Sequence, residues 1–246
     1  MNYGGGGHYE ESGELAVLQR LARLWPRAEP LQLIDAGANL GDYTVSLAAV
    51  FKDHPHARIW ALEPARGTFA QLEKKIAACP EKNRITTLHV GLGQREETIP
   101  LYASTDAGQS GISSVYPRRL EHFGKQLHPS ESIQLLPLDA LCEQKAIQKI
   151  HFLKLDLEGH ELAALEGASR LLREKRIDVI QFEFGGCNID SRTYFQDFYY
   201  RLAPDFALYR ILQHALDPVT AYKEEQEIFI TTNYLAVRKD LVLPSA

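Results

Sequence analysis

The sequence predicts an α/β domain, a mostly parallel sheet covered by helices, and two observations predict it. Compact apolar runs at residues 31–34, 58–62 and 85–90 alternate with segments of helical character, a strand-helix-strand-helix-strand rhythm. A second set of runs at residues 151–155 and 179–184 repeats that pairing further along the chain. Composition agrees: 45% hydrophobic and 24% charged residues in a chain of 246 are ordinary for a globular protein with one substantial core.

Taken in order, the chain opens with four glycines, Gly4 to Gly7, which lose much backbone entropy if ordered and are expected to be flexible. Leu15, Leu18, Leu21 and Leu24 then recur every third residue and predict an amphipathic lead-in helix over 14–24. We therefore expect residues 1–30 to be a flexible start and lead-in helix, and residues 31–246 to be one domain. The first strand ends at Asp35, glycines at 37 and 41 make the turn, and residues 43–51 read as a helix. The second strand, 58–62, ends at Glu63, and Pro64 can open the helix that runs to about 78. Residues 98–102 and 133–136 predict short strands, possible partners at one edge, joined by a long polar loop. A loop of that length is uncommon unless it folds over a site or is disordered. The strand at 151–155 ends in Asp156 and is followed by a helix over 161–172. A helix at 194–202 and strands near 206–211 and 228–237 complete the chain.

The net charge of -5, from 32 acidic residues against 27 Lys and Arg, gives no general attraction to nucleic acid, and no basic-aromatic pattern argues for it. No apolar run is long enough to span a bilayer, so no integral membrane contact is expected. Three scattered cysteines without a CxxC pair, and a start that lacks the basic and apolar regions of a signal peptide, predict a cytoplasmic protein. Nothing in the sequence predicts an oligomeric partner.

Three clusters carry the chemistry. In LIDAGANLGDYT, Asp35, Gly37, Asn39 and Gly41 follow a strand directly, where glycines let the backbone approach a ligand. The spacing lacks the denser dinucleotide fingerprint and the P-loop lysine. Glu63 closes the next strand, where a carboxylate can accept the hydroxyl hydrogens of a ribose. KLDLEGHE places Lys154, Asp156, Glu158, His160 and Glu161 beyond a third strand. A helix cap explains Glu161 there but not His160.

Together these segments resemble the FkbM family of SAM-dependent methyltransferases. The resemblance runs from LIDAGANLGDYT through ALEPARGTFAQLEKKI, VGLG, LPLDAL and FLKLDLEGHELAALEGA to VIQFEF, with TNYLAVR fitting the last strand. It implies the class I methyltransferase Rossmann-like fold, a seven-stranded mostly parallel sheet whose last strand is antiparallel, flanked by helices. It also implies S-adenosyl-L-methionine as cofactor and O-methylation of a small-molecule or carbohydrate-like acceptor, as in secondary-metabolite tailoring. Carried onto this chain, Asp35, Gly37, Asn39 and Gly41 would surround the methionine part, Glu63 the ribose, and Gly91 and Leu92 the adenine. Asp156 would lie near the donor methyl and amino group.

An alcohol must lose its proton as it attacks, so a base within hydrogen-bond reach is expected. His160 is the first candidate, because its ordinary pKa lies near neutrality, with Asp156 and Glu158 as rivals. Ser113, Ser114 and Tyr116, in the 110–119 loop, and Glu183 are the expected acceptor-side residues, with Asp139 a further candidate there. The 110–119 loop, and less strongly residues 9–14, are expected to close over the pocket. No ligand spacing predicts a metal. Two other classes compete: an NAD-dependent oxidoreductase, which shares the ribose acid, and a non-catalytic SAM-binding or interaction module.

Overall fold

A computed structural model describes residues 12–104 and 113–244. The Gly4–Gly7 run, residues 9–11 of the expected N-terminal cover and residues 110–112 of the loop lie outside the described residues. The main sheet holds strands β1 (Gln32–Ala36), β2 (Arg58–Leu62), β3 (Ile85–Leu88), β7 (Ile150–Leu155), β8 (Ile177–Phe184), β9 (Phe206–Leu212), β10 (Ala215–Val219) and β11 (Thr232–Arg238). Their order is β10-β9-β11-β8-β7-β1-β2-β3. The five strands from β8 to β3 run parallel, and β11 lies antiparallel between β8 and β9. The class I methyltransferase architecture and its antiparallel last strand are therefore present, but the sheet has eight strands rather than seven. The extra strand, β10, forms the edge of the sheet and pairs antiparallel with β9. Its sequence ALDPV reads as loop because of Asp217 and Pro218; at a sheet edge the missing proline N–H costs no ladder bond.

Alternation along the strands separates two cores. On one face Leu33, Phe152, Val179 and Leu235 pack against α1 (Glu14–Leu21), α2 (Asp42–Val50) and α3 (Arg66–Ala78), whose Leu18, Leu47 and Leu72 are fully buried. The other face packs Ile34, Leu153 and Ile180 against α4 (Leu138–Gln144), α5 (Glu161–Glu166), α6 (Ser169–Arg173) and α8 (Phe195–Leu202). The lead-in helix is thus part of a core, though it stops at Leu21 rather than at residue 24. The helix expected over 161–172 is split into α5 and α6 at Gly167. A β-carbon there would lie 2.1 Å from the Gly93 carbonyl oxygen, so glycine lets two loops meet. α4 and α7 (Cys187–Ser191) had no sequence signal, being too short to show a helical period.

The two short strands expected in the middle of the chain form, but not at an edge of the main sheet. β5 (Glu97–Ala103) pairs antiparallel with β6 (His128–Leu136), and β6 pairs parallel with β4 (Gly91–Leu92), giving a separate three-stranded sheet. That sheet stands beside the carboxyl ends of β1, β2 and β7, and the crevice between them is the main pocket.

Candidate functional site

The pocket is an open crevice of about 730 Å³ counted with its mouth. Gly37, Asn39, Glu63 and Asp156 form its floor at the strand ends, and Leu101, Ile133 and Leu135 of the small sheet form an apolar wall. Leu92, Ser113, Ser114, Glu158 and His160 also line the pocket.

The floor is built by a tight backbone turn. Gly37 has φ +81°, and a β-carbon on it would stand 1.8 Å from the Asp156 carbonyl oxygen, so only glycine lets the loops after β1 and β7 touch. Its N–H and that of Ala38 both donate to the Leu62 carbonyl, which ties this turn to the end of β2. Glu63 then accepts hydrogen bonds from the Asn39 N–H at 3.0 Å and the Ala65 N–H at 2.9 Å. Burial disfavours its charge more than those two donors favour it, and its pKa rises to about 7. Each carboxylate oxygen keeps a lone pair for a further donor. The Asn39 side-chain oxygen is buried and has no partner among the described residues, although a buried acceptor normally has one.

Asp35, Gly41, Gly91, Tyr116 and Glu183 sit behind this surface. Asp35 is fully buried under the floor, where Thr44 Oγ1 donates to Oδ2 at 2.6 Å. Burial raises its pKa, against the pull of Lys154 and Thr44. Thr44→Val removes that donor from a buried carboxyl group. It should cost about 1–3 kcal/mol, seen as a lower denaturation midpoint with unchanged m-value. Gly41 is the N-cap of α2 and packs on Leu72. Gly91 is held between Leu135 and Pro64, where a β-carbon would come within 2.6 Å of the leucine.

His160 precedes α5 and lines the pocket next to Gly93. Its Nδ1 is 2.9 Å from the Tyr116 hydroxyl, while Nε2 is buried without a partner. Burial lowers the His160 pKa and lifts that of Tyr116 to about 12. A neutral imidazole and a protonated phenol therefore face each other near pH 7. Ser114 bridges Tyr102 of β5 and donates its hydroxyl to the Glu158 carbonyl at 2.8 Å. Arg118 pairs with Glu158 and reaches Asp190 at 3.7 Å. Residues 113–118 thus form a strap anchored to the KLDLEGHE turn. Burial and the nearby Asp156 raise the Glu158 pKa to about 8 despite Arg118.

Glu183 lies behind Glu158, and the Cys187 thiol points at it from 3.9 Å. Among the described residues, Glu158, Glu183 and Cys187 form the group able to offer ligand atoms to a metal, all within 4.8 Å of one another. Asp139 turns away from the pocket: its carboxylate accepts the Arg170 and Leu171 N–H groups and caps α6. The apolar wall was the part of the site missed from sequence. Alternation in β5 and β6 puts Leu101, Ile133 and Leu135 on one face of the small sheet, and only the fold sets that face against the strand ends.

The family described as the Methyltransferase FkbM domain matches residues 35–209. Among curated proteins, Methyltransferase sdnD of Sordaria araneosa is 27% identical over 55% of this chain and 59% of its own length. Hexuronic acid methyltransferase AglP of Haloferax volcanii is 25% identical over 62% of this chain and 56% of its own. The chain therefore spans less than two thirds of these relatives. Among solved structures, the methyltransferase FkbM from Methylobacillus flagellatus KT covers 86% of this chain and 44% of its own, with 20% identity and a TM-score of 0.51. The O-methyltransferase from Bacillus cereus in complex with SAH covers 92% and 80%, with 13% identity and a TM-score of 0.51. At those identities the structural likeness speaks to the fold alone. No helix among the described residues is long and apolar enough to cross a membrane.

Proposed function

The chain belongs to the FkbM methyltransferase family, and from that premise we propose that it moves a methyl group from S-adenosyl-L-methionine to a hydroxyl oxygen of a small-molecule or sugar-like acceptor. The observation that carries this reading is the convergence of Asn39, Glu63, Asp156 and His160, from three strand ends, on one pocket. The residues fit the donor: Asn39 offers a buried oxygen without a partner, and Glu63 offers free lone pairs. Asn39, Gly37 and Asp156 would hold its methionine end, Glu63 the ribose hydroxyls, and Leu92 with the apolar wall the adenine. Asp35, Gly41 and Gly91 act from behind by shaping the floor. Bound there, the donor supplies an electrophilic methyl carbon on a positively charged sulfur.

The chain's own part is to orient the acceptor and take its proton. His160 is the base in this reading. With Tyr116 accepting from Nδ1–H, the Nε2 lone pair is free to receive the hydroxyl proton. Ser113, Ser114 and the strap exclude water and border the acceptor, with Glu158 on its far side and Glu183 behind Glu158. The name of the Haloferax relative makes uronic acids and their glycosides the first acceptors to test. We read residues 31–246 as the domain that carries this reaction, with α1 packed on it. Three free cysteines support a cytoplasmic setting.

Calorimetry with S-adenosylhomocysteine, beside NADH as a control, tests the donor. Labelled methyl transfer to a panel of sugars, uronic acids and phenols tests the acceptor. Saturable binding of the first ligand alone and label in a methyl ether are expected. Binding of NADH, or label only on nitrogen, on carbon or in a carboxyl ester, would overturn the reading. The raised pKa of Glu63 adds a pH test. Its ionised form is the better acceptor for ribose hydroxyls, so affinity should rise about tenfold from pH 6 to 8. In Glu63→Gln that rise should be absent.

A further inference from the structure

Lys154 is not on the pocket wall, yet it is tied to a residue that is. Strand register aligns Asp35, Lys154 and Gln181 as cross-strand neighbours on β1, β7 and β8, so their side chains share one face of the sheet. A buried lysine among apolar strands is rare unless it is paired. This one is 4% exposed, with its ammonium 2.9 Å from Asp156 Oδ2, 3.7 Å from Asp35 Oδ1 and 4.7 Å from the centre of the Tyr43 ring. The helices on that face close the network. Tyr43 of α2 donates its hydroxyl to Gln181 Oε1, and Gln181 Nε2 donates to Glu14 Oε1 of α1 at 2.6 Å. Gln181, an unexpected polar residue inside a strand, is thereby explained.

Asp35 and Glu14 are buried, whereas the Asp156 side chain is 40% exposed and reaches the pocket. Of the carboxylates near Lys154, Asp156 is the one placed to touch a ligand, and Lys154 holds it from behind. We propose that Lys154 is a positioning residue of the donor pocket: its ammonium pins one oxygen of Asp156, so that the other is presented to the donor's amino end at a fixed angle. Asp35 and Glu14 keep the ammonium in place, which makes the first turn of α1 a support of the site. Burial works against the lysine's charge, but the surrounding carboxylates outweigh it and raise its pKa, so the pin stays charged.

The proposal rests on the reading of Asp156 as a donor contact, and a double-mutant cycle on S-adenosylhomocysteine affinity separates the two. Asp156→Asn alone should weaken binding about tenfold. Lys154→Met should do the same, and the double variant should bind no more weakly than Asp156→Asn. Losses that multiply would overturn the positioning role while leaving Asp156 as a contact. An Asp156→Asn variant that binds like the wild type would overturn both. Removing the lysine leaves buried acids unpaired and can prevent folding. The cycle is therefore repeated with Lys154→Arg, and with Lys154→Met made together with Glu14→Gln, which removes one buried charge of each sign. A lysine that only supports the fold would lower affinity equally in the Asp156 and Asn backgrounds, with the loss following thermal stability.

Discussion

In His160→Ala we expect methyl transfer to fall by about 10²- to 10⁴-fold while S-adenosylhomocysteine binds as in the wild type. The split follows from geometry. His160 lines the pocket on the same side as Glu158 and the strap, with its Nε2 buried and unpartnered, whereas Glu63 belongs to a different strand end. Wild-type turnover should lose activity on acidification, with its midpoint below the ordinary histidine value, because burial lowers the His160 pKa. The alanine variant should lack that limb. Tyr116→Phe should retain part of the activity, since it removes the hydroxyl that selects the tautomer but not the base. Unchanged turnover in His160→Ala would move the role to Asp156 or Glu158. Of these, Glu158 carries the pKa of about 8 and must first part from Arg118.

The second large effect is on donor affinity. Glu63→Ala should weaken S-adenosylhomocysteine about 10- to 150-fold, corresponding to about 1.5–3 kcal/mol for hydrogen bonds to a charged acceptor. Calorimetry at pH 8, where the carboxylate is mostly ionised, gives the fullest contrast. Because Glu63 also receives the Asn39 and Ala65 N–H groups, part of the loss would come from a loosened turn. Glu63→Gln keeps one acceptor oxygen and should recover part of the affinity. A wild-type Kd in both variants would remove Glu63 from the donor site.

Much of this site was legible from residue order, for a simple reason. In a parallel sheet the strand ends that matter follow their apolar runs directly, so Asp35, Glu63 and Asp156 announce themselves as acids closing hydrophobic segments. Glycine at position 37 was legible too, as a turn, although the contact that requires it is with the Asp156 carbonyl, 119 positions further on in the chain. Side chains that act at a distance were not legible. Asp139 also follows an apolar run, yet it caps α6, because the break at Gly167 brings two unsatisfied N–H groups to it. Glu14 carries no sequence signal of burial; its contact with Gln181 depends on α1 packing on that face of the sheet.

Local periodicity and the residue that closes each run fix the order of the main-sheet strands other than β10, the parallel half of that sheet and the acids at the strand ends. Contacts across the fold take β5 and β6 out of the main sheet to wall the pocket, add β10 as an eighth strand and set Lys154 among the acids. Pairing partners, and the company a buried charge keeps, are set by contacts across the fold that local periodicity does not encode.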